Sequence, residues 1–299
     1  MENKREGYHR RNRISWQSDG TRVRCWCVSE GRCQSMSNST EERLPGGRLT
    51  VVVRAGDTVR RQPKPWSNEV QKLLAHVRSR GFLLVPEPLG FDEQGREVLG
   101  YIEGETSATV TPWPGALWSD ELLTDVGKTV AAYHRAVADF VPSDLVQWQY
   151  RPRALLPGEI ICHHDFAPYN AVFKGGQLLG MVDWEGAGPG TIQEEIAFLA
   201  WQWVPLSSSE HEVNDGSEPK VDQVTRLRLL LDSYGYEDRV GLIDAVIERV
   251  EISRSGIEER AAAGGLPYVA LKNEGYTRGM ESLIRHLEQN GRNLQAAIE

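Results

Sequence analysis

Hydrophobic positions in this chain recur with two different periods, and the change between them marks its organisation. From Arg48, the run RLTVVVRAGDTVRRQ places two β-branched stretches around Ala55-Gly56-Asp57, the pattern of a hairpin. Next, Val70, Leu73, Leu74 and Val77 fall at i, i+3, i+4 and i+7, one face of a helix that Ser67 is placed to cap and Gly81 to end. The segment FLLVPEPLGFDEQGREVLGYIEGE then alternates short apolar runs with turn residues, Glu93-Gln94-Gly95 among them. It predicts two or three further strands. Residues 46–105 are therefore expected to form a small sheet with one inserted helix.

After ATVTPWPGALW the period becomes helical. Leu122, Val126, Val130, Tyr133 and Val137 share one face of a helix expected over 119–140, and further helices are expected over 193–204, 221–235, 239–263 and about 274–297. Between them, EIICHHD begins as a buried strand, and Pro168 argues against a helix through the residues that follow. AVF and QLLGMV are two short strands joined at Lys174-Gly175-Gly176. Residues 106–299 thus make a larger helical lobe that carries one hairpin, and the whole is an α+β chain of two lobes with a cleft expected between them. Residues 1–45 differ: rich in Arg, Ser, Asn and Gly with little periodicity, they are expected to be a disordered or loosely attached extension. Met36, opening MSNSTEERLPGG, is a candidate alternative start.

Composition narrows the function classes. The chain has 299 residues and a net charge of −8, which argues against nucleic acid as the main partner and mildly favours cationic ligands. No apolar run approaches membrane-spanning length, and the basic N-terminus lacks the apolar core of a secretory signal, so a soluble cytoplasmic protein without a membrane partner is expected. Cys25, Cys27, Cys33 and Cys162 lack the spacing of a zinc site and are expected to be free thiols.

The stretch ICHHDFAPYNAVFKGGQLLGMVDWEGAGPG packs acids and an amide around a small hairpin. A metal site, a proton-transfer site or an ordinary loop each explain single residues of this kind. The joint spacing says more. Asp165 falls on a loop; folding the hairpin about its turn brings Asn170 nearly opposite Asp183, where facing Cβ atoms lie about 5 Å apart. An amide oxygen and a carboxylate that close can share a hard cation such as Mg²⁺, and Asp165 is then placed to accept a proton beside it. A metal to neutralise phosphate and an acid to orient an attacking hydroxyl are the requirements of phosphoryl transfer.

HHDFAPYNAVF…MVDWEGAGPG resembles the aminoglycoside phosphotransferase and choline kinase group, a branch of the protein-kinase-like fold. His163, Asp165, Asn170, Asp183, Trp184 and Glu185 match the family pattern, and His164 replaces its glycine. The resemblance implies a two-lobed protein-kinase-like fold, with a small β-rich N-lobe and a helical C-lobe, that binds Mg·ATP or Mg·GTP between the lobes. It implies Asp165 as catalytic base, Asn170 and Asp183 as Mg²⁺ ligands, and Glu195 as support for the loop. The family's strand lysine is missing from TVRRQ, so Arg60, or failing it Arg61, takes that role with Glu69 as partner. Gly46, Gly47 and Gly56 do not form a G-x-G-x-x-G, and the nucleotide base is expected on the backbone near Leu99–Tyr101.

The substrate implied is a small molecule with a hydroxyl, an aminoglycoside or other hydroxylated amine, with choline-like alcohols, sugars and macrolides also open. Glu194, Glu195, Asp215, Asp222 and Asp232 are acids available to a polyamine, though acids on helices are most often solvated. A kinase-like protein that binds without turnover is the rival reading. VGKTV at 126–130 lacks the first glycine of a phosphate loop and falls inside a helical period; His134, Trp201 and Trp203 are expected to pack.

Overall fold

In a computed structural model of the chain, the described residues are 12–16, 22–27, 33–35, 41–44, 50–107, 115–143, 146–206 and 222–299. They divide into two units, Met1–Glu41 and Glu42–Glu299. In the first, β1 (Asn12–Trp16), β2 (Arg22–Cys27) and β3 (Cys33–Ser35) form an antiparallel sheet with β2 in the middle. Regular structure was not expected here. The six-residue alternation of RVRCWC is the strand signal that the surrounding polar sequence conceals.

The second unit opens with β4 (Glu42–Arg43), β5 (Val52–Ala55) and β6 (Thr58–Arg61). Ala55 pairs with Thr58 across Gly56, whose φ of 63° satisfies a tight turn that begins with glycine. Helix α1 (Ser67–Ser79) follows, with Val70, Leu73, Leu74 and Val77 fully buried. Its cap is Trp66 rather than Ser67, because the Ser67 hydroxyl instead accepts the Lys64 N–H at 2.9 Å. β7 (Pro88–Phe91) and β8 (Glu97–Gly100) complete a five-stranded antiparallel sheet in the order β4-β5-β6-β8-β7.

Helix α2 (Asp120–Val137), capped by the Ser119 hydroxyl, buries the predicted face. β9 (Ile160–Cys162) leads into the acid-rich stretch, followed by the hairpin β10 (Ala171–Lys174) and β11 (Gln177–Met181) and by β12 (Gly188–Gly190), which pairs back onto β9. Helices α3 (Ile192–Trp203), α4 (Gln223–Tyr234), α5 (Leu242–Ala262), α6 (Leu266–Asn273) and α7 (Tyr276–Ile298) close the chain. The 126–130 segment lies within α2, where Gly127 lets α4 approach: a Cβ there meets Leu230 O at 2.9 Å and Ser233 Cβ at 2.8 Å. α6 was not expected, since it buries no residue and leaves no apolar period to read.

One core runs through the second unit. Tyr133 donates its buried hydroxyl to Ile161 O (2.7 Å), and the Trp184 and Trp203 indoles donate to Met181 O and Phe166 O, each at 2.9 Å. These polar tips, each satisfied, fix the strand–helix junctions on which the acid-rich loop rests. His134 packs in α2 against Tyr234, with its Nδ1 2.8 Å from the phenol oxygen, and burial pushes its pKa down to about 3. No helix among the described residues is long and apolar enough to cross a membrane.

Candidate active site

The loop after β9 is held from below. His163 is fully buried; burial lowers its pKa to about 4, so it is neutral. Its Nε2–H donates to Val182 O (3.0 Å) and its Nδ1 accepts the Asp165 N–H (3.2 Å), which settles the tautomer and aims Asp165. His164 has a φ of 63°. That left-handed conformation is why a glycine suits the position. Here a histidine fills it, and its Nε2–H is shared between the Gly188 and Pro189 carbonyls, each at 3.1 Å. The His164 N–H donates to Glu195 (3.2 Å) and Arg249 of α5 donates to His164 O (2.8 Å). Glu195 is buried, and burial raises its pKa to about 7. The loop support expected of it is the contact it makes.

Asp165 is ringed by donors. Tyr169 donates its hydroxyl to Oδ1, and Asn170 Nδ2 donates to Oδ2 and to the Asp165 carbonyl, each at 2.8 Å. Burial is the largest influence on its acidity and the Asp183 charge adds to it, lifting the carboxyl to about 7 against the pull of the Tyr169 and Asn170 hydrogen bonds. A carboxylate with affinity for a proton near neutrality is matched to accepting one from an alcohol.

Asn170 and Asp183 lie at the open end of the β10–β11 hairpin, one position out of register. A bulge between Val172 and Phe173 shifts the register, so Asn170 O accepts the Val182 N–H (2.9 Å) and Asp183 lies one residue beyond. Asp183 is itself left-handed, with φ 61°, and its side chain is 51% exposed. The amide donors of Asn170 face Asp165, which leaves its Oδ1 as an acceptor. One amide oxygen and one accessible carboxylate are the hard oxygen donors that Mg²⁺ takes alongside phosphate and water, so the residues fit that ion.

The basic group beside them is Arg61, not Arg60. Arg61 is buried; its Nε donates to Glu97 at 2.6 Å, and its Nη1 lies 3.3 Å from both Asp183 and Glu185. Burial opposes its charge, and Glu97, Glu185 and Asp183 together hold it protonated. Glu185 in turn is raised by burial and lowered by Arg61, and its second oxygen accepts the Thr50 hydroxyl at 3.1 Å. Arg60 points to the opposite face of the strand, near Asp92 at 3.6 Å. Glu69 does not partner it: its carboxylate accepts from Lys72 (2.9 Å) and from the Ser143 N–H and hydroxyl (2.9 and 3.0 Å), tying α1 to the chain after α2. Two α1 side chains reach the arginine's partner: Gln71, whose Nε2 lies 3.0 Å from Glu97, and Ser67, whose hydroxyl lies 3.5 Å from it. Tyr101 lies under the Arg54 guanidinium, 3.8 Å from the ring centre. The N–H groups of Gly100 and Tyr101 already donate to Glu87 O and Asp57 O, so neither is free for a base.

Beside the loop, a cavity of about 220 Å³ is lined by Tyr150, Arg151, His164, Glu194, Glu248 and Arg249, among others. The acids expected to greet a polyamine are largely engaged internally. Glu194 pairs with Arg151 and closes the capping box with Thr191; Asp222 caps α4; Asp232 pairs with Arg239. Asp215 lies outside the described residues, as do Gly46 and Gly47.

A β-rich lobe with one helix, a helical lobe, and an acid–amide–acid triplet beside a buried cation define a protein-kinase-like phosphotransferase fold. Residues 142–212 match the model of the phosphotransferase enzyme family, APH. The trifolitoxin immunity protein of Rhizobium leguminosarum bv. trifolii is 37% identical over 210 residues, which cover 68% of this chain and 78% of that protein. The chain belongs to this phosphotransferase family. Its fold is similar to that of aminoglycoside 2'-phosphotransferase-IIIa in its GDP complex (TM-score 0.55, 14% identity, 85% of this chain and 94% of that one). It is also similar to that of a choline/ethanolamine kinase family protein from Mesorhizobium loti (TM-score 0.55, 18% identity, 87% and 93%). The macrolide 2'-phosphotransferase MphH from Brachybacterium faecium shares it too (TM-score 0.50, 17% identity, 77% and 88%).

Proposed function

We propose that the protein transfers the γ-phosphoryl group of ATP or GTP to a hydroxyl of a small molecule in the cytoplasm. The observation that carries this is Asp165, a carboxyl with a pKa near 7 fixed by Asn170 and flanked by Asp183. In the reaction, the acceptor oxygen bonds to the γ-phosphorus and its proton passes to Asp165. The bond from that phosphorus to the β–γ bridging oxygen breaks, and the nucleoside diphosphate leaves. Asn170 Oδ1 and Asp183 would hold Mg²⁺, which would neutralise phosphate charge. Arg61 contributes a buried positive charge on the same side, the part the missing lysine plays in related folds. Positioning and charge stabilisation account for most of the catalysis.

The likeness to an immunity protein favours an antimicrobial compound as the acceptor, and hydroxylated amines remain the first class to try. Calorimetry with ATP and GTP, with and without Mg²⁺, separates the enzyme from the rival reading. Metal-dependent nucleotide binding, weakened in Asp183→Asn, is the expected result. Metal-independent binding supports a protein that binds without turnover, and no binding contradicts both.

A further inference from the structure

Both oxygens of Asp165 are occupied, but by partners of different exposure. Asn170, on Oδ2, is 6% exposed and is pinned twice more: its amide also donates to the Asp165 carbonyl at 2.8 Å, and its own carbonyl accepts the Val182 N–H at 2.9 Å. Tyr169, on Oδ1, is 38% exposed and reaches the carboxylate from the short turn Pro168–Asn170. Its hydroxyl donates to Asp165 at 2.8 Å, the contact that an acceptor hydroxyl makes with a general base.

We infer that Tyr169 is a gate on the catalytic base: its phenol holds the acceptor's place on Asp165 Oδ1 and yields only to another hydroxyl. The inference rests on the phosphotransferase reading. Its consequence is selectivity between acceptors. Water alone makes poor use of the site, because displacing the phenol forfeits its hydrogen bond to the Asp165 carboxyl and water brings few other contacts to offset that loss. A larger acceptor, bound also by the neighbouring cavity, displaces it. Tyr169 so restrains the idle reaction, in which a water oxygen bonds to the γ-phosphorus, its proton passes to Asp165, and the nucleoside diphosphate leaves. Tyr169 is not the phosphate acceptor; its role is to exclude the wrong one.

The test uses the full chain with Mg·ATP and Mg·GTP and no added acceptor, so that water is the probe. Phosphate release and nucleotide affinity are measured for wild type, Tyr169→Phe, Tyr169→Leu, Asp165→Asn and the Tyr169→Phe/Asp165→Asn double variant, after melting curves confirm folding. Tyr169→Phe is expected to release phosphate about tenfold faster at unchanged nucleotide affinity, the scale of one hydrogen bond. Tyr169→Leu, which also opens the space, is expected to do so faster still, and Asp165→Asn to erase the gain. Hydrolysis at or below the wild-type rate in both tyrosine variants, with affinity unchanged, overturns the gate. Failure of wild type to bind Mg·nucleotide contradicts the phosphotransferase reading itself and removes the gate with it.

Discussion

Replacing Arg61 with Met removes one cation from three carboxylates, and the cost can be worked from their surroundings. Glu97 is 0% exposed and Arg61 7%, so theirs is a buried pair, and removing one partner of such a pair costs about 3–5 kcal/mol. Glu97 keeps Gln71 at 3.0 Å, which holds the loss toward the lower end. Asp183 is half exposed and adds little, since water screens what Arg61 gives it. Glu185, with one buried oxygen left unbonded, adds a further part. The sum is about 3–4 kcal/mol, or a fall in Tm of about 6–16 °C at this size. Arg60→Met is the control: its contact with Asp92 is 3.6 Å long and partly solvated, worth under about 1 kcal/mol. The assay is thermal unfolding by circular dichroism of both variants beside wild type. An Arg60→Met loss equal to or larger than the Arg61→Met loss would refute the assignment of Arg61 as the buried cation.

Asp165→Asn tests the raised carboxyl. The folded state keeps a proton to about pH 7 that the unfolded chain releases near pH 4, so this group's contribution to stability is present below pH 4 and lost as pH rises through 7. The neutral amide should therefore raise Tm at pH 8 by the equivalent of about 2 kcal/mol, partial exposure having halved the full conversion, and do little at pH 4; a larger gain at pH 4 contradicts it. Gly127→Ala should destabilise by about 1–3 kcal/mol in urea unfolding although alanine favours helices, because its methyl meets Leu230 O and Ser233 on α4; a stabilised variant shows that the helices part freely. Glu69→Gln should cost about 1 kcal/mol through the weakened tie to Lys72 and Ser143 while nucleotide affinity is kept; a loss of affinity without a loss of stability returns Glu69 to the site.

The candidate site was legible in the sequence where chemistry and spacing coincide. Asp165, Asn170 and Asp183 lie on one loop and one hairpin, so local folding alone brings them together, apart from a bulge that periodicity does not show. The buried helical faces were legible for the same local reason. Arg61 was open to a better reading: on a strand it shares a face with Val59, two residues back, which packs against the core. Its partner was not legible, because Glu97 faces Arg61 only through the pairing of β6 with β8, across an inserted helix and strand. Glu69 misled because a helix glutamate is the expected partner, and only the packing of the segment at Ser143 shows where its carboxylate goes. His164 hid a left-handed position that a glycine announces.

The central claim is chemical transfer that depends on Asp165. The most direct measurement is mass spectrometry of a pool of hydroxylated amines, aminoglycosides and macrolides included, incubated with the protein, Mg²⁺ and ATP or GTP, beside Asp165→Ala. The account predicts an acceptor heavier by one phosphoryl group in the wild-type reaction and unmodified in the variant. A phosphorylated product formed equally by both would contradict it.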